Sequence, residues 1–133
     1  MLDAAVLNRY PQADCRAIQA LLKEKCREDG HKIVVLDDDP TGVQTVHDVS
    51  VYTDWSYESI KKGFEEDNKL FYILTNSRGF TVEQTTRAHL GIGENVARVS
   101  EETGIDYVIV SRGDSTLRGH YPLETELLAQ AEE

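Results

Sequence analysis

The chain has 133 residues, 24 of them Asp or Glu against 14 Lys or Arg, for a formal charge of −10. That length suits one domain at roughly 100–200 residues per domain, and 40% apolar with 29% charged residues excludes a disordered or fibrous chain. The acidic balance opposes attraction to phosphate backbones, so neither nucleic acid nor an anionic membrane is expected as a partner.

No stretch approaches the ~18 consecutive apolar residues of a membrane-spanning helix. Met1-Leu2-Asp3 opens with an acid, where a secretory signal carries basic and then apolar residues, so the protein is read as cytoplasmic. Cys15 and Cys26 fall on one expected helix, about 16 Å apart at ~1.5 Å rise per residue, too far to bridge. They are expected as small apolar filler in a reducing compartment.

Over residues 11–28, Ile18, Leu21, Leu22 and Cys26 recur at helical spacing, with Asp14 as cap and Gly30 as stop. Ile33-Val34-Val35-Leu36 is too short for a helix and largely β-branched, the mark of a strand buried on both faces. Val49-Ser50-Val51-Tyr52-Thr53 is less uniformly apolar and suits an edge strand, with a short helix following from about Trp55 to Phe64. Leu70-Phe71-Tyr72-Ile73-Leu74 repeats the buried-strand pattern, and Thr81-Val82-Glu83-Gln84 fits a capping box at the start of a long helix. At ~100° per residue, Glu83, Gln84, Arg87, Glu94, Asn95, Arg98, Glu101 and Glu102 share one arc. Val82, Leu90, Ile92, Val96, Ala97 and Val99 share the other. Gly104 ends this helix, Tyr107-Val108-Ile109-Val110 supplies a further buried strand, and Pro122 opens a last helix through Leu123, Leu127 and Leu128.

Strands alternating with helices predict an α/β fold, a mainly parallel sheet flanked by helices in three layers. Residues 1–30 are read as an N-terminal helical extension and 31–133 as the α/β domain. Residues 129–133 are still helix formers, end in acid and offer no Gly or Asn stop, which reads as the truncated front of a larger, incomplete domain.

In open parallel sheets, ligands bind beyond the carboxyl ends of the strands. Three loops occupy that position: Asp37-Asp38-Asp39-Pro40-Thr41-Gly42, Thr75-Asn76-Ser77-Arg78-Gly79, and the run from Ser111-Arg112-Gly113-Asp114 to Ser115-Thr116-Leu117-Arg118-Gly119-His120. Arg78, Arg112 and Arg118 offer planar forks of donors for a carboxylate or phosphate, and the aspartates can accept from hydroxyls, take a proton or hold Mg²⁺. Ser77, Ser115 and Thr116, with N–H groups near Gly42, Gly79, Gly113 and Gly119, can complete an anion cradle. A small polyhydroxylated acid suits this inventory, although three acids before Pro-Thr-Gly also suit a plain solvated turn. His31, His47 and His89 lack metal-ligand spacing and are expected at the surface or satisfied in the core, while His120 lies within the third loop as a ligand contact; no metal site is expected. There is no Walker A loop, no dinucleotide fingerprint around Gly91-Ile92-Gly93, and no C-x-x-C, H-E-x-x-H or G-x-S-x-G.

Asp37, Asp39 and Thr41 form D-x-D-x-T after an apolar strand and resemble the first motif of haloacid-dehalogenase-type phosphatases. That resemblance implies Asp37 as nucleophile, Asp39 as acid/base and Thr75 or Ser77 as the second-motif hydroxyl. It departs at Ser111-Arg112-Gly113-Asp114, which lacks the later acidic pair, and no Lys follows Lys69.

The three loops together are more similar to the four-carbon acid sugar kinases, which act on threonate, erythronate and 3-oxo-tetronate. The similarity rests on Asp38-Asp39-Pro40-Thr41-Gly42 for the family's Asp-Asp-x-Thr-Gly, on Ser77-Arg78, and on Asp114-Ser115-Thr116-Leu117-Arg118-Gly119. It spans about residues 32–126, the front of the family's sugar-acid-binding domain, with Asp37, Pro40, Val43-Gln44 and His120 as departures. It implies phosphoryl transfer from ATP to a hydroxyl of a small anionic sugar acid, with Asp38 and Asp39 as catalytic candidates in contact with substrate hydroxyls. Ser77 and Arg78 would hold the carboxylate, and Asp114, Ser115, Thr116 and Arg118 would line the pocket. Thr41, Gly42, Asn76, Arg112, Gly119 and His120 complete the candidate substrate site. ATP and Mg²⁺ are expected for the full-length kinase, whose nucleotide-binding domain follows this one and is absent from this chain. The chain alone is expected to bind neither and to be inactive, and a non-catalytic sugar-acid-binding module is the other reading. Apolar surface left open by an incomplete sheet makes a homo-oligomer an expectation.

Overall fold

The computed structural model describes residues 3–9, 14–114 and 116–131. The chain forms two compact units, residues 1–30 and 31–133. The first holds a 3-10 turn, Ala4–Arg9, and helix α1, Arg16–Glu28. Asp14 accepts the Arg16 N–H at 3.1 Å, one residue before the N-cap Cys15, so the expected cap at Asp14 stands just outside the helix. The helix ends at Glu28 as expected, with Asp29 as an extended C-cap whose N–H meets the Lys25 carbonyl and Gly30 just beyond it. No residue of α1 is buried among those described, and Cys15 and Cys26 are exposed instead of the expected apolar filler.

The second unit is built on β1 (Lys32–Asp37), β2 (Val51–Tyr52), β3 (Leu70–Leu74) and β4 (Tyr107–Arg112). They form one parallel sheet in the order β2-β3-β1-β4. Helices α2 (Tyr57–Glu65), α3 (Val82–Thr103) and α4 (Leu123–Gln130) complete it, with α3 packed against both α2 and α4. An all-parallel four-stranded sheet with four helices in the chain is the α/β class read from the sequence. None of the described helices is long and apolar enough to cross a membrane.

Alternation along the strands sends Val34 and Leu36 of β1, and their register partners Phe71 and Ile73 of β3, to one face. There they meet Ile60 and Phe64 of α2, Ile92, Val96 and Val99 of α3 and Leu128 of α4 in a single core. Each such side chain stabilises the fold by about 1.5–3 kcal/mol when removed from water. Ser56 caps α2 by accepting the Ser59 N–H. The capping box of α3 is complete: Thr81 Oγ1 accepts from Gln84 N–H at 3.3 Å, and Gln84 Oε1 from Thr81 N–H at 2.8 Å. Gly104 closes α3 in the left-handed region, at φ 68°, where a side chain would be strained.

Two expectations about faces are corrected. Val82, placed on the apolar arc of α3, is the first residue of the helix and is exposed, whereas Thr85, Ala88, His89 and Gly93 are buried. Strand β4 was expected to be buried on both faces, yet Val108 and Val110 are 49% and 41% exposed. It lies at the sheet edge, and only Tyr107 and Ile109 pack against the core that the helices of this unit cover.

Candidate functional site

Strands β3, β1 and β4 end side by side, with Asp37 in register with Leu74 on one side and Arg112 on the other. Thr75 N–H continues the ladder onto the Asp37 carbonyl at 2.9 Å. Asn76 then takes a left-handed conformation, φ 54°, and the 3-10 turn Ser77–Gly79 carries Arg78 back toward the loop after β1. The strand order therefore brings the three predicted loops to one rim.

Arg78 and Asp38 form its centre. Arg78 donates from Nε to Asp38 Oδ2 at 3.0 Å and from Nη2 to Asp38 Oδ1 at 2.9 Å, and its Nη1 reaches Asp39 Oδ2 at 2.8 Å. The Asp114 N–H donates to the same Asp38 Oδ2 at 3.0 Å, so one carboxylate, 2% exposed, ties all three loops. The parallel N–H···O bonds are the strong two-pronged form of the guanidinium–carboxylate pair, and Asp38 raises the Arg78 pKa above its ordinary value.

Asp39 and Asp114 are fixed by their own turns. Asp39 Oδ1 accepts from the Thr41 N–H at 2.9 Å and from its hydroxyl, and these bonds hold Asp39 below the usual carboxylate range. Asp114 Oδ1 accepts from Thr116 N–H and Oγ1, both at 3.0 Å, and from Leu117 N–H at 3.1 Å. Arg118 Nε donates to Asp114 Oδ2 at 3.3 Å. The backbone donors of Thr116 and Leu117 lead in pushing the Asp114 pKa far down. Gly119 lies against the Asp114 carbonyl, closing the turn. Ser115 lies outside the described residues.

Beneath this rim is a layer without water access. Asp37 is 2% exposed, and its Oδ2 has no hydrogen-bond partner among the described residues. Burial pushes its pKa up, against the pull of Arg112. A Cβ at residue 42 would stand 1.6 Å from Asp37 Oδ2, so only glycine lets this loop lie on that carboxyl. Arg112 holds the same peptide by donating from Nη1 to the Gly42 carbonyl.

Ser77 is 1% exposed. Its hydroxyl donates to Glu124 Oε1 at 3.3 Å and lies 3.0 Å from Thr75 Oγ1, which turns it inward. His89 Nε2 stands 3.9 Å from the same Glu124 oxygen while its Nδ1 meets the Thr85 carbonyl at 2.9 Å. His120 Nε2 bonds the Phe80 carbonyl at 2.9 Å and joins the third loop to the end of the second. Thr41 and Asn76 are exposed. Glu124 is the residue that sequence reasoning missed, because an acid in the first turn of a helix reads as a solvated partner of the dipole.

The rim thus sets three carboxylates, Asp38, Asp39 and Asp114, against the guanidiniums of Arg78, Arg112 and Arg118, over the buried Asp37. Fixed acceptors and donors side by side can bind both the O–H and the oxygen lone pairs of a polyol. Among the described residues no group of three or more His, Cys, Asp or Glu is placed to hold a metal ion.

The family model for the sugar-binding N-terminal domain matches residues 33–133. No curated protein and no solved structure matches the chain. The three-loop rim lies wholly inside the matched segment, and the chain belongs to the sugar-binding N-terminal domain family.

Proposed function

We propose that the chain is the substrate-binding part of an ATP-dependent kinase acting on a four-carbon sugar acid such as threonate, erythronate or 3-oxo-tetronate. The observation that carries this reading is the Asp38–Arg78–Asp39 network, held to Asp114 by one N–H, inside a sugar-binding family match. Phosphoryl transfer needs positioning and charge neutralisation more than covalent chemistry from the protein. Asp38 is the positioning carboxylate, because it is 2% exposed and ties the three loops together. Asp39, 24% exposed, faces the substrate: it accepts the hydrogen bond of the reacting hydroxyl and is the acceptor for its proton.

ATP with Mg²⁺ supplies the phosphoryl group when bound. The rim does not fit a triphosphate, since Asp38, Asp39 and Asp114 already match its three guanidiniums in number and no lysine follows Lys69. The nucleotide site then belongs to other parts of the whole kinase. The phosphatase reading is less well supported, because its nucleophile, Asp37, is buried under Gly42 and does not face a substrate.

Calorimetric titration with erythronate, threonate and their keto analogues, beside a neutral tetritol, tests the reading. Binding that is lost in Asp39→Ala supports it. A folded chain that binds none of them while hydrolysing a generic phosphomonoester overturns it in favour of the phosphatase.

A further inference from the structure

The three arginines of the rim are not equivalent. Arg78 spends Nε, Nη1 and Nη2 on Asp38 and Asp39, and its side chain is only 23% exposed. Arg112 is turned to the Gly42 carbonyl, over the buried Asp37. Arg118 makes one long bond, from Nε to Asp114 Oδ2 at 3.3 Å, and is 64% exposed. Its Nη1 and Nη2 have no other hydrogen-bond partner among the described residues, and its charge acts on Asp39 across the gap between the loops.

Asp114 does not depend on Arg118 for its hydrogen bonds. Thr116 and Leu117 already supply three donors to its Oδ1. Arg118 is therefore anchored at Nε while the outer edge of its guanidinium stays open, which is the edge that takes a carboxylate through two parallel N–H bonds.

We infer that Arg118, and not Arg78, reads the carboxylate of the bound sugar acid and is the residue that separates an acid from a neutral polyol. The inference rests on the sugar-acid reading above. It assigns hydroxyl recognition to Asp39 and charge recognition to Arg118, with Arg78 remaining a structural tie between the loops. A charge-assisted pair of this kind corresponds to roughly 10- to 100-fold in affinity.

The test is calorimetric titration of the 133-residue chain with erythronate and with erythritol, its neutral analogue, for the wild type, Arg118→Gln and Arg118→Lys. Arg118 is exposed, so these variants fold, which thermal unfolding checks. The wild type is expected to prefer the acid by about 10- to 100-fold, Arg118→Gln to bring that ratio within about threefold of unity, and Arg118→Lys to fall between them. A ratio preserved in Arg118→Gln overturns the assignment alone and means that Asp39 releases Arg78 to the substrate. A folded wild type that binds neither compound, or both equally, overturns the sugar-acid reading with it.

Discussion

Arg78 grips Asp38 through two parallel hydrogen bonds of 3.0 and 2.9 Å, across 40 residues of sequence. The pair is a structural clasp, since Asp38 also receives the Asp114 N–H. Removing one partner of a buried ion pair strands the other charge and costs about 3–5 kcal/mol. Arg78 is partly exposed, so Arg78→Met is expected to destabilise by the lower end, about 3 kcal/mol. Urea unfolding of wild type and variant measures this, and a loss below about 1 kcal/mol, the size of a surface pair, would show that the clasp is not formed in solution.

Gly42 and Asp37 are coupled by contact. An added Cβ at residue 42 lands 1.6 Å from Asp37 Oδ2, so Gly42→Ala must displace either the carboxyl or the loop. The expected loss of about 1–3 kcal/mol should shrink when Asp37→Ala removes the obstructing carboxylate. A double-mutant cycle by urea unfolding reads the coupling, expected above about 1 kcal/mol. Additive losses would place the loop elsewhere.

Asp37 also sets a pH dependence whose sign follows from its burial. Its folded pKa lies above the ordinary 3.8, so the folded chain keeps this proton to higher pH than the unfolded chain. The resulting contribution to stability is complete below the ordinary value and is lost as pH rises through the folded one. Asp37→Asn mimics the protonated form and removes this loss. Comparing unfolding free energies from below the ordinary 3.8 up to about pH 7, the wild type should lose more than Asp37→Asn on going up. Parallel behaviour of the two would mean that the carboxyl is solvated.

Much of this arrangement was legible in the sequence, for identifiable reasons. Short continuous apolar runs and period-3.6 patterning set the four strands and the helices from Trp55 onward, because the core is a single parallel sheet with its helices. The capping box of Thr81 and Gln84 was readable because both bonds are local. Glycine-bearing loops after β1, β3 and β4 marked the rim, since strand ends converge by topology. The pairing of Arg78 with Asp38 was not readable, because composition does not say which acid an arginine meets. Nor was the inward turn of Ser77, whose partner Glu124 lies 47 residues away. The exposure of Val108 and Val110 was hidden because an edge strand and a central one share the same apolar run.

The expectation that this chain alone does not catalyse transfer has a direct measurement. Its rim has no fit for a triphosphate, so incubation with erythronate, ATP and Mg²⁺ should release no ADP above a protein-free control. The Asp39→Ala variant serves as the second control. Turnover by the wild-type chain that Asp39→Ala abolishes would place the nucleotide on this rim and reverse the assignment of its carboxylates.

Glu124 joins two loops from below. Its Oε1 accepts from Ser77, and a Cβ on Gly113 would stand 2.6 Å from its Oε2, so the carboxylate lies under both the second and the third loop. Glu124→Ala leaves the Ser77 hydroxyl without that acceptor and opens a cavity, for an expected loss of about 2–4 kcal/mol. Glu124→Gln keeps the acceptor oxygen and the volume but removes the charge facing His89. It should cost less than about half as much. If both variants unfold the chain equally, the charge on Glu124 matters more than its shape.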